Sequence, residues 1–63
     1  MSAATDYNGR QAGVLWQAAA LPAPFCTLAP ASDAFAAAVA TFQQAKGLTA
    51  DGKLGPATLA AML

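Results

Sequence analysis

Apolar side chains recur at helical spacing in the second half of the chain. Phe35, Val39 and Phe42 are spaced i, i+4 and i+7, so they lie on one stripe of a helix, and the alanines between them favour helix without adding bulk. Ser32 suits the N-cap position, because its hydroxyl can accept a hydrogen bond from a free backbone N–H. The pattern predicts a helix from about Ser32 to Lys46 with one apolar face.

Glycine and proline positions predict where that helix ends and where the next one begins. Gly47 falls where a residue after the helix turns left-handed, and Asp51-Gly52 is a turn pair in which glycine takes positive φ. Gly55-Pro56 is typical of an N-cap followed by proline at the first helical position. A last short helix is therefore predicted after this pair, with Leu59 and Leu63 on one side.

The first half of the chain predicts one more helix over residues 9–20, after a flexible arm over residues 1–8. On a helical wheel Val14 and Leu21 share one face, whereas Trp16 points roughly the opposite way. Two registers therefore compete. In one, Trp16 is buried, as the only tryptophan of a small domain usually is. In the other it is exposed and is a candidate contact for a protein partner or a sugar face.

Prolines interrupt the segment over residues 22–30, which predicts an extended connection between the first two helices. Phe25 and Leu28 are expected to turn onto the core. Cys26, the only cysteine, is expected to be a small buried apolar residue. The alternative for Cys26 is a reactive thiol or one that pairs with another chain.

The residues around the predicted turn also resemble a known family. The residues that carry the resemblance are Phe42-Gln43, Gly47-Leu48, Asp51-Gly52, Gly55 and Thr58. Their order is similar to the second half of the small three-helix peptidoglycan-binding domain of bacterial and phage cell-wall hydrolases, and the resemblance is strongest over residues 35–63. It implies an all-α fold, a compact three-helix bundle over residues 9–63. The function it implies is a non-catalytic module that binds or targets the cell wall by tethering.

The resemblance also implies a binding site and a partner, peptidoglycan. The candidate ligand contacts lie at the end of helix two, in the loop, and at the start of helix three: Gln43, Gln44, Lys46, Asp51, Lys53 and Thr58. Structural roles stay open for several of them. Gln43 can satisfy backbone groups of the loop, Asp51 can hold its own turn, and Thr58 can bond a carbonyl one turn back.

Composition and charge exclude several other classes of function. The 63 residues make one domain at most, and three basic and three acidic side chains give a net charge of zero, so no basic surface exists to attract nucleic acid. The chain has no histidine and one cysteine, which predicts no metal site, no internal disulfide and no cofactor. Its three aspartates form no evident catalytic pair, so no enzyme activity is predicted.

The uncharged run over residues 11–32 is long enough to span a bilayer, but three prolines interrupt it, so membrane insertion is not predicted. The polar first ten residues also argue against a signal peptide. The expected location is the cell wall or periplasm as part of a larger exported protein such as a parent hydrolase, or a virion or injection machine. The alternative function is an assembly module of a phage tail, injection machine or envelope complex, docking through helix one and the N-terminal arm.

Overall fold

The structure is a computed structural model that describes residues 2–63, and its regular elements there are three α-helices and two single-turn 3-10 helices. The α-helices are α1 (Ser2–Gln11), α2 (Asp33–Ala45) and α3 (Pro56–Met62), and the 3-10 turns are Ala18–Ala20 and Phe25–Thr27. The all-α, three-helix fold class is therefore confirmed. No helix in this described range is long and apolar enough to cross a membrane.

The first helix lies earlier in the sequence than predicted. It spans Ser2–Gln11, so the segment expected to be a flexible arm is helical from Ser2, while Met1 falls outside the described residues. The helix predicted over residues 9–20 is wrong because the chain reverses after Gln11. Gly13 takes a φ of +80°, and its N–H donates to the Trp16 carbonyl at 2.7 Å, which closes a tight turn.

The hydrophobic pattern of the sequence does not predict α1, because the helix is mostly polar. Within residues 3–11 of this helix only a narrow stripe is buried, formed by Ala4 and Asn8, which are 3% and 0% exposed and stand four residues apart. Neither an alanine nor an asparagine marks an apolar face in a sequence. The helix is consequently integral to the fold although its sequence is typical of an exposed segment.

Aromatic rings form the centre of the core. The Trp16 and Phe35 rings stack with centroids 5.4 Å apart and planes 10° apart, while Phe25 meets the rings of Phe35 and Phe42 edge-on at 6.2 and 5.9 Å. Val39 and Leu54 are fully buried beside them. The predicted stripe of α2 and the inward turn of Phe25 are confirmed, and Trp16, at 4% exposed, is a core residue.

One expectation for an apolar residue between α1 and α2 is wrong, and one of the two open registers is excluded. Cys26 is exposed rather than buried, because Phe25 takes the inward position of their shared 3-10 turn and its neighbour faces away. Val14 is 80% exposed at the turn after α1, so the register that buries it does not occur. Leu21 is buried although it shared that register, and Leu28 packs against the core as expected.

Both ends of α2 follow their local signals. The Ser32 hydroxyl accepts the Phe35 N–H at 3.2 Å, as an N-cap does. At the other end Gly47 takes a φ of +73°, and the Leu48 N–H donates to the Gln43 carbonyl at 2.8 Å. This bond is part of a Schellman motif, which satisfies carbonyls that the helix leaves unpaired.

The start of α3 is also as predicted, with Gly55 at the N-cap and Pro56 at the first helical position. Its apolar face differs from the expected one. Leu59 and Met62 pack against the core, whereas Leu63 is 75% exposed. Residues three apart share a helix face as well as residues four apart do, and the core selects the first pair.

Candidate functional site

A buried amide from α2 organises the loop that leads to α3. The Gln43 side chain is 2% exposed, and its Oε1 accepts the Gly52 N–H at 2.9 Å. Its Nε2 lies 3.0 Å from the Lys53 carbonyl, 3.0 Å from Asp51 Oδ1 and 2.9 Å from Thr58 Oγ1. An amide nitrogen carries two hydrogens, so these three acceptors share them. Gln43 therefore fixes the loop from the side of α2.

A second buried amide fixes the same loop from the side of α1. Asn8 Nδ2 donates to the Gly52 carbonyl at 2.9 Å, and Asn8 Oδ1 accepts the Leu54 N–H at 2.8 Å. The Trp16 indole N–H donates to the Leu54 carbonyl at 3.2 Å. Groups from two ends of the sequence thus meet on three consecutive loop residues.

The N–H of Lys53, donated to Asp51 Oδ1 at 2.9 Å, completes the set of bonds. Every backbone N–H and C=O of residues 52–54 then has a partner in a side chain, which is the condition for burying irregular backbone at low cost. We call the four side chains that supply these partners the loop clamp. They are Asn8, Trp16, Gln43 and Asp51.

A shallow cleft of about 350 Å³ lies beside the loop clamp. Its walls come from α1, from the loop and from the start of α3, and its lining residues are Tyr7, Gln43, Leu48, Thr49, Asp51, Lys53, Gly55, Pro56, Ala57 and Thr58. The volume is at the lower end of the range of about 300–1,000 Å³ that is usual for ligand pockets. The cleft has room for a single sugar unit or a short peptide.

The structure brings four of the six predicted ligand residues together at this cleft. Gln43, Asp51, Lys53 and Thr58 line it, and all but Lys53 have side chains that also bond within the fold. The structural roles that the sequence left open for Gln43 and Asp51 are therefore present. For Thr58 the structural role left open was a bond to a carbonyl one turn back, whereas in the structure its hydroxyl accepts a hydrogen bond from Gln43.

The other two predicted ligand residues lie away from the cleft. Gln44 is exposed on α2, and successive helix residues point about 100° apart, so it cannot face the loop that its neighbour Gln43 holds. Lys46 is exposed at the end of the helix, where its Nζ lies 5.8 Å from the centroid of the Phe42 ring. The family resemblance had implied both as ligand contacts at the end of helix two.

Sequence reasoning missed the contributions of α1. Tyr7 is half-buried and lines the cleft, and its hydroxyl oxygen lies 3.3 Å from the position that a Cβ on Gly55 would occupy. Asn8 belongs to the loop clamp. Both residues were assigned to the flexible arm, and no local signal in the sequence predicts a contact with a loop more than forty residues away.

The charged groups of the cleft come from two loop residues. Lys53 is its basic lining residue and Asp51 its acidic one, and Leu48, Pro56 and Ala57 are apolar residues of the same lining. Within the part of the chain that the structure describes, no group of three or more histidine, cysteine or acidic residues could hold a metal ion. The arrangement is suited to binding a small ligand through side chains.

Comparison with known proteins gives a match over one segment of the chain. Residues 31–62, which are 32 of the 63, match the family described as "Putative peptidoglycan binding domain". The matched segment contains α2, the loop and α3, and so all of the cleft lining except Tyr7. No curated protein and no solved structure gives a significant match to the chain.

Proposed function

The chain belongs to the peptidoglycan-binding domain family, and we propose that it acts as a non-catalytic module that holds a larger protein or assembly at the cell wall. One observation carries the proposal: the segment that matches the family is the segment that builds most of the cleft. A bound module raises the local concentration of whatever is attached to it through tethering. No chemistry of its own is needed for that role.

The cleft is the proposed ligand site, and Lys53 is its principal contact. The backbone of Lys53 is engaged in the loop clamp, whereas its side chain makes no ion pair or hydrogen bond with any described residue. Asp51 contributes a second contact through the carboxylate oxygen that the loop does not use. Gln43 and Thr58 hold the floor of the cleft, so their replacement would alter both shape and binding.

Cosedimentation with insoluble peptidoglycan sacculi tests this proposal, and the chain offers a matched pair of variants. Lys53→Met removes the ammonium inside the cleft, and Lys46→Met removes the same group outside it. We expect the wild type and Lys46→Met to sediment with the sacculi and Lys53→Met to remain largely in the supernatant. Circular dichroism of each protein establishes that it is folded.

Two results would contradict the proposal. A folded wild type that stays wholly in the supernatant would exclude wall binding. An equal loss with both lysine variants would show general attraction to an anionic wall rather than recognition in the cleft, since both changes remove one positive charge.

The proposed location follows from the family. Association with the cell wall or periplasm, as part of a larger exported protein or parent hydrolase, suits a tethering module. A place in a virion or an injection machine would require the same binding at the surface of a target cell. Localising a tagged version of the chain within its native context distinguishes the two.

The alternative is an assembly module that docks through the first helix and the N-terminal arm, and it loses one candidate contact, since Trp16 is buried and is not available to a protein partner. The segment after α1 retains two large apolar side chains at the surface, Val14 and Leu15, which are 80% and 36% exposed. Val14→Ser separates the two functions. It leaves the cleft unchanged, so wall binding is expected to be unaffected, and loss of a complex in this variant would favour assembly.

A further inference from the structure

Three side-chain donors of the cleft lining are not used by the fold. Lys53, Tyr7 and Thr49 line the cleft, and the Lys53 ammonium and the two hydroxyls bond to no other group in residues 2–63. By contrast, each buried side-chain nitrogen or oxygen in this range has a hydrogen-bond partner. The fold therefore satisfies its interior polar groups and leaves three donors of the cleft lining available to a ligand.

The same cleft lining contains an acceptor, the Asp51 carboxylate. Asp51 uses Oδ1 for its bonds to Gln43 and to the Lys53 N–H, and Oδ2 has no partner in the described structure. The residues that line the cleft consequently carry one positive group, one negative group and the neutral hydroxyls of Tyr7 and Thr49, beside an apolar wall. A ligand with charges of both signs is complementary to this set, whereas a neutral ligand would leave both charges without a counterpart.

Peptidoglycan contains two chemically different parts, and only one of them has such charges. The glycan is a polymer of N-acetylated sugars, which carry no ionised group when the lactyl group is linked to peptide. The stem peptide carries free carboxylates, and its diamino acid carries an ammonium group wherever it is not cross-linked. Resting on the proposed function, we infer that the cleft recognises the uncross-linked stem peptide, with Lys53 and Tyr7 donating to a peptide carboxylate and Asp51 accepting from the ammonium.

Tyr7 is the one lining residue of the cleft that lies outside the segment matching the family. It stands on α1, outside residues 31–62, and its hydroxyl oxygen approaches Gly55 so closely that a Cβ there would lie 3.3 Å away. The proximity of the Tyr7 hydroxyl to Gly55 limits the positions that the Tyr7 ring can take. α1 therefore contributes both Asn8 to the loop clamp and Tyr7 to ligand recognition.

The test measures the affinity of the full chain for three soluble probes by isothermal titration calorimetry. The probes are a synthetic stem tetrapeptide with a free diamino-acid amine and a free C-terminal carboxylate, the same peptide amidated at its C-terminus, and a chitin tetrasaccharide. Each is measured with the wild type, Lys53→Met, Tyr7→Phe and, as the control outside the cleft, Lys46→Met. Tyr7→Phe keeps the ring and removes only the hydroxyl, and Lys53→Met keeps the length of the side chain.

We expect the effects of Lys53→Met and of C-terminal amidation on peptide affinity to be coupled. Loss of a hydrogen bond to a charged group lowers affinity by roughly tenfold or more, so we expect Lys53→Met and amidation each to weaken binding of the peptide by about tenfold in the wild-type background. Amidation is expected to have little further effect on Lys53→Met, because the two changes remove the same interaction. Tyr7→Phe is expected to weaken binding by about threefold to tenfold, and Lys46→Met to leave it unchanged.

Each contrary outcome has a distinct meaning. If the wild type sediments with sacculi but binds the chitin tetrasaccharide as tightly as the peptide, the inference is overturned and the proposed function stands. The same holds if amidation weakens Lys53→Met as much as it weakens the wild type. A folded wild type that neither sediments with sacculi nor binds any probe overturns both.

Discussion

Replacing Asn8 by alanine removes both hydrogen bonds through which α1 holds the loop between α2 and α3. The Asn8 side chain is fully buried, and it bonds to the Gly52 carbonyl and to the Leu54 N–H at 2.9 and 2.8 Å. Alanine can neither donate nor accept at this position. Gly52 and Leu54 are themselves buried, so water cannot replace the lost partners without opening the loop.

The expected loss of stability is large for a domain of this size. A buried polar group left without its partner costs about 1–3 kcal/mol, so two of them cost about 2–6 kcal/mol. A chain of 63 residues has a total stability of about 3–9 kcal/mol at the usual ~0.05–0.15 kcal/mol per residue. Asn8→Ala is therefore expected to remove about half of the free energy of unfolding or more.

Thermal unfolding followed by circular dichroism measures the effect. Because 1 kcal/mol shifts Tm by about 4–8 °C in a domain this small, the lower bound of about 2 kcal/mol predicts that Asn8→Ala lowers Tm by at least ~8 °C. Asp6→Ala is the control, since Asp6 is exposed on the same helix and aspartate and asparagine have similar helix propensities. If the two variants melt within a few degrees of each other, α1 does not hold the loop and the clamp is not a source of stability.

Four further predictions concern Trp16, Gly47 and Cys26. Trp16 is the only tryptophan and is buried, so its fluorescence is expected to be blue-shifted and poorly quenched by acrylamide. Trp16→Phe, which leaves the Leu54 carbonyl without its donor, is expected to lower stability by about 1–3 kcal/mol in urea titrations. Gly47→Ala meets no atom within 4 Å but forces alanine to a φ of +73°, so a loss of about 1–2 kcal/mol in the same assay is expected, and no loss would show that the turn rearranges. Cys26 is exposed, so it is expected to react with Ellman's reagent in the native protein as fast as a free thiol, whereas reaction only after denaturant is added would place it inside.

The sequence was sufficient for α2, the turn and α3 because their signals act over a few residues. Ser32 caps the first turn of α2, Gly47 ends the helix in a left-handed conformation, and Gly55-Pro56 starts α3. Each of these effects depends on the residue and its immediate neighbours. The helix boundaries in this half therefore lie where the sequence predicts them.

The position of α1 could not be predicted in the same way, because its stabilising contacts are distant in sequence. Asn8 bonds to residues 44 and 46 positions away, and Trp16 to one 38 positions away. An asparagine in a polar helix is ordinarily an exposed residue. Only the requirement that the loop backbone be satisfied explains its burial, and that requirement is visible only when the loop and α1 are in contact.

The candidate site was predicted in part, for a related reason. The family resemblance implied a set of ligand residues around the loop, and of these Lys53 and Asp51 line the cleft. Gln44 and Lys46 do not, since the rotation of the helix turns them away from it. Tyr7 was missed because a contact between α1 and Gly55 has no signature in either segment.

In the loop between α2 and α3, one residue can stabilise the fold through its backbone and remain available to a ligand through its side chain. At Lys53 the backbone N–H and C=O are directed to Asp51 and Gln43, while the ammonium remains free of bonds within the described fold. A change in that side chain can therefore alter ligand affinity with little change in stability. Gln43 does not have separate groups for folding and for binding, because the side-chain amide of this cleft-lining residue also bonds to Gly52 and Thr58. A loss of binding in a Gln43 variant is consequently evidence of ligand contact only if the Tm of the variant is unchanged. The same loss of binding in Lys53→Met is direct evidence that the Lys53 side chain contacts the ligand.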